Sequence, residues 1–181
     1  MRRLIGLTLA AVVATAVTGC ATMNVSSHVE RGLDITKYHT YDWGPADALP
    51  TGDPRLDKDP FFKDHVEGAI EKSMAATGLE RVTTGPPDLR IHYHANISER
   101  IDIDRVDRDR GYCTGEGCTP PVVSYEAGTL VIDVIDAHTN KLIWRGWAQN
   151  TVKGMLENQD TMTRRIDEAV TRMFVKFPRP L

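Results

Sequence analysis

Between Leu89 and Ser98 the side chains alternate without a break. Leu89, Ile91, Tyr93, Ala95 and Ile97 are apolar, and Arg90, His92, His94, Asn96 and Ser98 are polar. Successive residues of a strand point to opposite faces, so this stretch reads as a strand with one buried and one wet face. A second such segment runs from Gly128 to Ile135, Asp136 to Asn140 supply turn residues, and Lys141 to Val152 returns. The spacing predicts a β-hairpin. Leu130, Ile132 and Val134 share one face of it, with Leu142, Trp144 and Ala148 as facing partners. Trp144 and Trp147 lie three apart, so a regular strand sends them to opposite faces, one core and one partly exposed. Gly146 between them admits a bulge or a close neighbour. Asp133, Asp136, Lys141 and Arg145 read as turn-forming and outer-face pairing residues.

The remaining elements follow from local chemistry. Met23 to Val29 and Tyr38 to Trp43 read as strands, and Gly44 to Asp59 as a surface loop punctuated by Pro45, Pro50 and Pro54. Asp59-Pro60 is an N-cap followed by proline at the first helical position. Phe62, Val66, Ala69, Ile70 and Met74 recur at helical spacing, and Gly78 suits the left-handed residue after a helix. The helix predicted is Pro60 to Thr77. Met162, Ile166, Ala169, Val170, Met173, Phe174 and Phe177 form a closing amphipathic helix stopped by Pro178. The expected fold is α+β, a single domain with an antiparallel sheet and helices packed on one face.

The start of the chain carries an address. Arg2 and Arg3 precede an apolar run from Leu4 to Val17, followed by Thr18-Gly19-Cys20. Charged, apolar and small residues in that order mark a secretory signal. The run is fourteen residues long, against the ~20 needed to span a bilayer. Its ending at a cysteine resembles the lipobox of bacterial lipoproteins. That resemblance implies diacylglycerol on the Cys20 thiol, cleavage before Cys20 and acylation of the new amino terminus. Ala21 in place of an aspartate implies the outer membrane, facing the periplasm. The expected organisation is a removed signal at 1–19, a lipidated cysteine and short tether at 20–23, and a domain at 24–178.

Loss of Arg2 and Arg3 takes the formal charge from −3 to −5, because the signal holds no acidic residue. A mildly acidic chain without a basic stripe gives no support for nucleic-acid binding. With 41% hydrophobic residues the chain can build a core rather than remain a disordered tail.

Candidates for chemistry are few. Cys113 and Cys118 flank Thr114-Gly115-Glu116-Gly117, which in an oxidising compartment reads as a disulfide closing a short loop. A metal pair and free thiols are the alternatives. His92 and His94 share a strand face with Cα atoms ~7 Å apart, a separation one metal ion can bridge. A third ligand is not selected by spacing; His28, His39, His65 and the carboxylates after Glu99 are the options. Asp102, Asp104, Asp107 and Asp109 do not match a calcium loop, since counting back from Gly111 puts Arg110, Arg108 and Val106 at the ligand positions. No nucleophile elbow, phosphate loop or zinc-protease helix motif occurs. No catalytic residue and no cofactor are expected.

Two stretches resemble a known family. Asp34-Ile35-Thr36-Lys37-Tyr38-His39-Thr40-Tyr41-Asp42-Trp43 is similar to the opening of the DUF4136 family of bacterial lipoproteins. Tyr125 to Asp133, continued by Lys141-Leu142-Ile143-Trp144-Arg145-Gly146-Trp147-Ala148, resembles that family's hairpin. Pro87-Asp88-Leu89 and Phe177-Pro178 also fit. The resemblance implies an envelope lipoprotein with an α+β domain and implies no reaction. Function is therefore expected to be non-enzymatic binding or a structural role, with Trp144, Arg145 and Trp147 as partner-facing candidates. Partners would be the membrane, through the anchor, and another envelope protein. One alternative is a lipid or small-ligand carrier whose pocket is lined by Phe61, Phe62, Met74, Trp144 and Met173. Another is a metal-dependent hydrolase using His92 and His94.

Overall fold

The computed structural model describes residues 23–44, 53–101 and 124–179. Cys20, Cys113, Cys118 and the Asp102–Asp109 cluster lie outside the described residues. Among the described residues six strands form one sheet: β1 (Asn24–Val29), β2 (Thr40–Trp43), β3 (Glu80–Arg81), β4 (Leu89–Ile101), β5 (Ser124–Asp136) and β6 (Lys141–Thr151). Their order is β1-β6-β5-β4-β2-β3. The described helices are α1 (Pro54–Asp57), α2 (Pro60–Ala76) and α3 (Gln159–Phe174), with a 3-10 turn at Ile35–Lys37.

The sheet is mixed, which corrects the expected all-antiparallel arrangement. β4, β5, β6 and β1 pair antiparallel, whereas β2 runs parallel to both β3 and β4. The cause is α2, which carries the chain from one end of the sheet back to the other between β2 and β3. A strand that follows such a crossover enters parallel to the one before it. The surface loop expected from Gly44 to Asp59 also needs correction. Asp53 accepts from the Arg55 N–H and caps α1, whose Leu56 is buried. Pro54 at the first helical position suits that single turn.

α2 begins as its sequence predicts. Asp59 accepts from the N–H groups of Phe61 and Phe62, Thr77 closes the helix, and Gly78 adopts φ +85°. Phe62, Val66, Ala69, Ile70 and Met74 are buried against Leu89, Ile91 and Ala95 of β4 in one core. Asn158 caps α3, which packs on α2 and on β1 and β6. Both long helices therefore cover the same face.

β6 holds the main departure from simple alternation. Val134 pairs with Trp144 but Ile135 pairs with Leu142, so Ile143 is an extra residue. This bulge turns two consecutive side chains inward, Ile143 and Trp144, both buried. Leu142, expected on the core face, is only half-buried and lies outside the core cluster. Trp144 packs against Phe174 and Phe177 at ring-centre distances of 5.4 and 5.2 Å. A Cβ on Gly146 would lie 2.4 Å from the Trp144 ring, so the missing side chain is what makes room for the indole.

The residues that carry the first family resemblance hold the architecture together. Asp34 accepts from the Thr36 N–H and caps the 3-10 turn. Tyr38 donates its hydroxyl to Asp136 at 2.9 Å, and burial followed by that bond pushes the phenol up to about 12. Asp88 accepts from the N–H groups of His39 and Thr40 at 2.9 and 3.0 Å, and its own N–H donates to the Thr40 hydroxyl. Trp43 donates to Glu71 on α2 and meets Tyr93 edge-on.

Two outcomes are expected. Gly146→Ala should lower stability by about 1–3 kcal/mol through overpacking, read as a lower urea midpoint with an unchanged slope. Asp88→Ala should cost about 2 kcal/mol, because two N–H donors at the β2 entry lose a charged acceptor. The bond from the His39 N–H, ahead of the other contributions, lowers the Asp88 pKa. Its stabilisation is thus complete above the ordinary carboxylate value near ~4 and is lost as pH falls through the lowered folded value. An Asp88→Asn variant titrated down to about pH 3 should lose less stability than the parent chain over the same interval.

Candidate functional site on the open sheet face

The residues that alternate with the core positions form the other face of the sheet, and register lays them out in rows. His92, Asp133, Arg145 and His28 lie side by side across β4, β5, β6 and β1. The next row is His94, Val131, Trp147 and Ser26, and the next Asn96, Thr129, Gln149 and Asn24. Among the described residues no helix packs on this side, and both α2 and α3 bury their apolar stripes on the opposite one.

Asp133 is the centre of the patch. It is 5% exposed, one of the few buried charged residues described. Its two oxygens accept from Arg145 Nε at 2.5 Å and Nη2 at 2.6 Å, a fork-to-carboxylate pair. The bond to Asp133 leads the causes that raise the Arg145 pKa, so the guanidinium stays cationic. His94 Nε2 stands 3.9 Å from the same carboxylate, and His94 Nδ1 is buried without a hydrogen-bond partner among the described residues. Asp133 and Arg145 thus pair on the outer face as their spacing predicts. Asp136 and Lys141 also do the expected work. Asp136 accepts from the N–H groups of His138 and Thr139 in the turn, and Lys141 pairs with Glu30.

The histidines occupy the expected face, half-buried on β4. The His92 ring lies where a Cβ of Gly44 would be, only 2.0 Å from that position. Burial, with neighbouring His94 second, pushes the His92 pKa below the ordinary imidazole value. Asp133, the carboxylate nearest both, is already engaged by Arg145. Among the described residues no trio of His, Cys, Asp and Glu is arranged to hold a metal ion. The Gly44 contact was invisible in the sequence, since it joins segments on different strands.

The partner-facing set divides. Trp144 is fully buried and belongs to the core, which removes it from any surface role. Trp147 is 37% exposed on the open face, in register with Val131 and Ser26. Arg145 is exposed and lies two residues away on the same strand and face. The carrier pocket is corrected as well: Met74 and Met173 are sealed in the core with Trp144, and Phe61 is exposed. A cavity of about 60 Å³ does exist between the layers, with Met23, Leu56, Phe62, Ile97, Leu130 and Ile166 on its walls. It is far below the ~300–1,000 Å³ of small-molecule pockets.

The fold and this face define a class: a two-layer α+β domain with one sheet surface buried under helices and the other, uncovered among the described residues, centred on a buried acid–guanidinium pair. Residues 25–179 match the family described as Domain of unknown function (DUF4136), and the chain belongs to that family. No curated protein matches it. Among solved structures it is similar to a PDZ domain protein from Parabacteroides distasonis, at 14% identity and a TM-score of 0.52. The match covers 88% of this chain and 37% of that one, so the chain spans little more than a third of that protein's length. The PelC dodecamer from Paraburkholderia phytofirmans matches at 8% identity and TM-score 0.49, over 88% of this chain and 100% of that one. A neuraminyllactose-binding hemagglutinin homolog from Helicobacter pylori matches at 9% identity and TM-score 0.39, covering 78% and 83%. The first likeness bears on the fold alone.

Arg145→Ala should leave the Asp133 carboxylate buried and unpaired, costing about 2 kcal/mol. Asp133→Asn combined with Arg145→Ala should cost less than the sum of the single changes. Urea unfolding of the four proteins in a double-mutant cycle checks the coupling.

Proposed function

We propose that this chain is a non-enzymatic binding module of the bacterial envelope. Cys20 carries the lipid that holds it on the periplasmic side of the outer membrane, and the open sheet face docks another envelope protein. The observation that carries the reading is the pairing of exposed Trp147 with Arg145 on a sheet surface that no described helix covers. Tryptophan and arginine are the side chains most enriched where binding energy concentrates. Arg145 is held flat by Asp133, so it loses little freedom when a partner arrives. The cysteine that ends the apolar leader supports the anchor.

The reading is checked by affinity recovery of the full chain from crosslinked outer membranes, followed by mass spectrometry. Trp147→Ala should keep the protein folded and membrane-bound while the partner yield falls about tenfold, the equivalent of one modest hot spot. Cys20→Ser should release the protein from membranes. A partner recovered equally by Trp147→Ala would move the docking surface elsewhere. Stoichiometric bound lipid without a protein partner would favour the carrier reading.

A further inference from the structure

We infer that the end of the domain where β1 begins is a membrane seat, at which Phe61, Ile101 and Tyr125 insert into the headgroup–acyl boundary of a phospholipid surface. The inference rests on the lipid-anchor reading and adds a second, non-covalent contact to it. Strand register assembles this end. Asn24 at the start of β1 lies beside Gln149 near the end of β6. Ile101 at the end of β4 lies beside Ser124 at the start of β5, and Ala127 lies beside Thr151. The helices bring their starts to the same place. Arg55 of α1 reaches Glu126 at 2.8 Å, and Leu56 and Phe62 share the cavity wall with Met23.

Three of the large apolar side chains that stand exposed on the described surface belong to elements that start or end at this pole: Phe61 at 47%, Ile101 at 60% and Tyr125 at 42%. Val29 ends β1 and Val175 follows α3 at the opposite pole, and Trp147 belongs to the open face. Cys20 precedes Met23 by three residues, so an extended chain places its thiol within ~10 Å of this surface. A lipid at Cys20 therefore holds this end, and no other, against the bilayer. Phenylalanine, tyrosine and isoleucine suit that boundary, since an apolar body is buried there while a phenol keeps its hydroxyl wet.

Charge does not explain the placement. Among the described residues at this end, Lys58, Lys63, Arg100 and Lys153 are offset by Asp57, Asp64, Glu99, Glu157 and Asp160, all exposed. The surface chosen is therefore a zwitterionic one, and contact with it should withstand salt.

The test uses the full lipidated chain reconstituted in phosphatidylcholine vesicles, with its anchor verified by intact mass. A photo-crosslinking benzoylphenylalanine is placed singly at positions 61, 101 and 125, and at 147 and 175 as controls. The expected result is phospholipid adducts at the first three positions at ~fivefold or more the yield at the controls, unchanged in molar salt. Equal yields at all positions in verified lipoprotein would overturn the seat while leaving the anchor intact. Adducts that vanish in high salt would overturn apolar insertion. A chain whose mass shows no lipid on Cys20 would overturn the anchor reading and this inference with it.

Discussion

Trp144 is the side chain on which the two layers close. Its indole is fully buried and touches Phe174 at the end of α3 and Phe177 beyond it. Such a group needs room that a side chain at the next inward position would take. Regular register already sends it to the core face opposite Val134, the bulge adds Ile143 beside it, and Gly146 leaves the space its ring occupies. The Trp-Arg-Gly run thus describes one mechanical unit: a ring that fills the core, a guanidinium on the other side, and a vacancy that lets the first lie down.

The same three residues couple the dry face to the wet one. Arg145 follows Trp144 directly, so the alternation that sends the indole inward sends the guanidinium to the open face, opposite Asp133. Asp133 sits between Ile132 and Val134, both fully buried. A carboxylate so placed must be paired. The polar centre of the open surface is therefore positioned by apolar packing beneath it, and disturbance of either side should register on the other.

Much of this architecture was legible in local chemistry. Asp59-Pro60 marked the start of α2, the alternation at Leu89 identified β4, and the aspartate and lysine flanking the turn revealed the hairpin. The three-residue spacing of Trp144 and Trp147 foretold that one is core and the other partly exposed. Features that depend on distant partners were not legible. The bulge hides in a sequence that still looks alternating, which is why Leu142 rather than Ile143 seemed to face inward. β2 turns parallel because of where α2 returns the chain, and the two-residue β3 is too short to leave a pattern. The His92 ring lies over Gly44, just past the end of β2, a relation between distant segments that no spacing encodes. The lipid anchor and the cysteine loop rest on sequence alone.

The two borders of the sheet are unequal. β3 is two residues long and offers almost nothing to pair with, whereas β1 runs for six residues without proline or lysine. Among the described residues no strand pairs with its outer side, and such an edge is the kind that accepts another strand. A molecule with one receptive border and one blunt border can be extended only once. Joining two copies border to border would consume both receptive edges, so growth along the sheet stops at a pair instead of running on into a fibre.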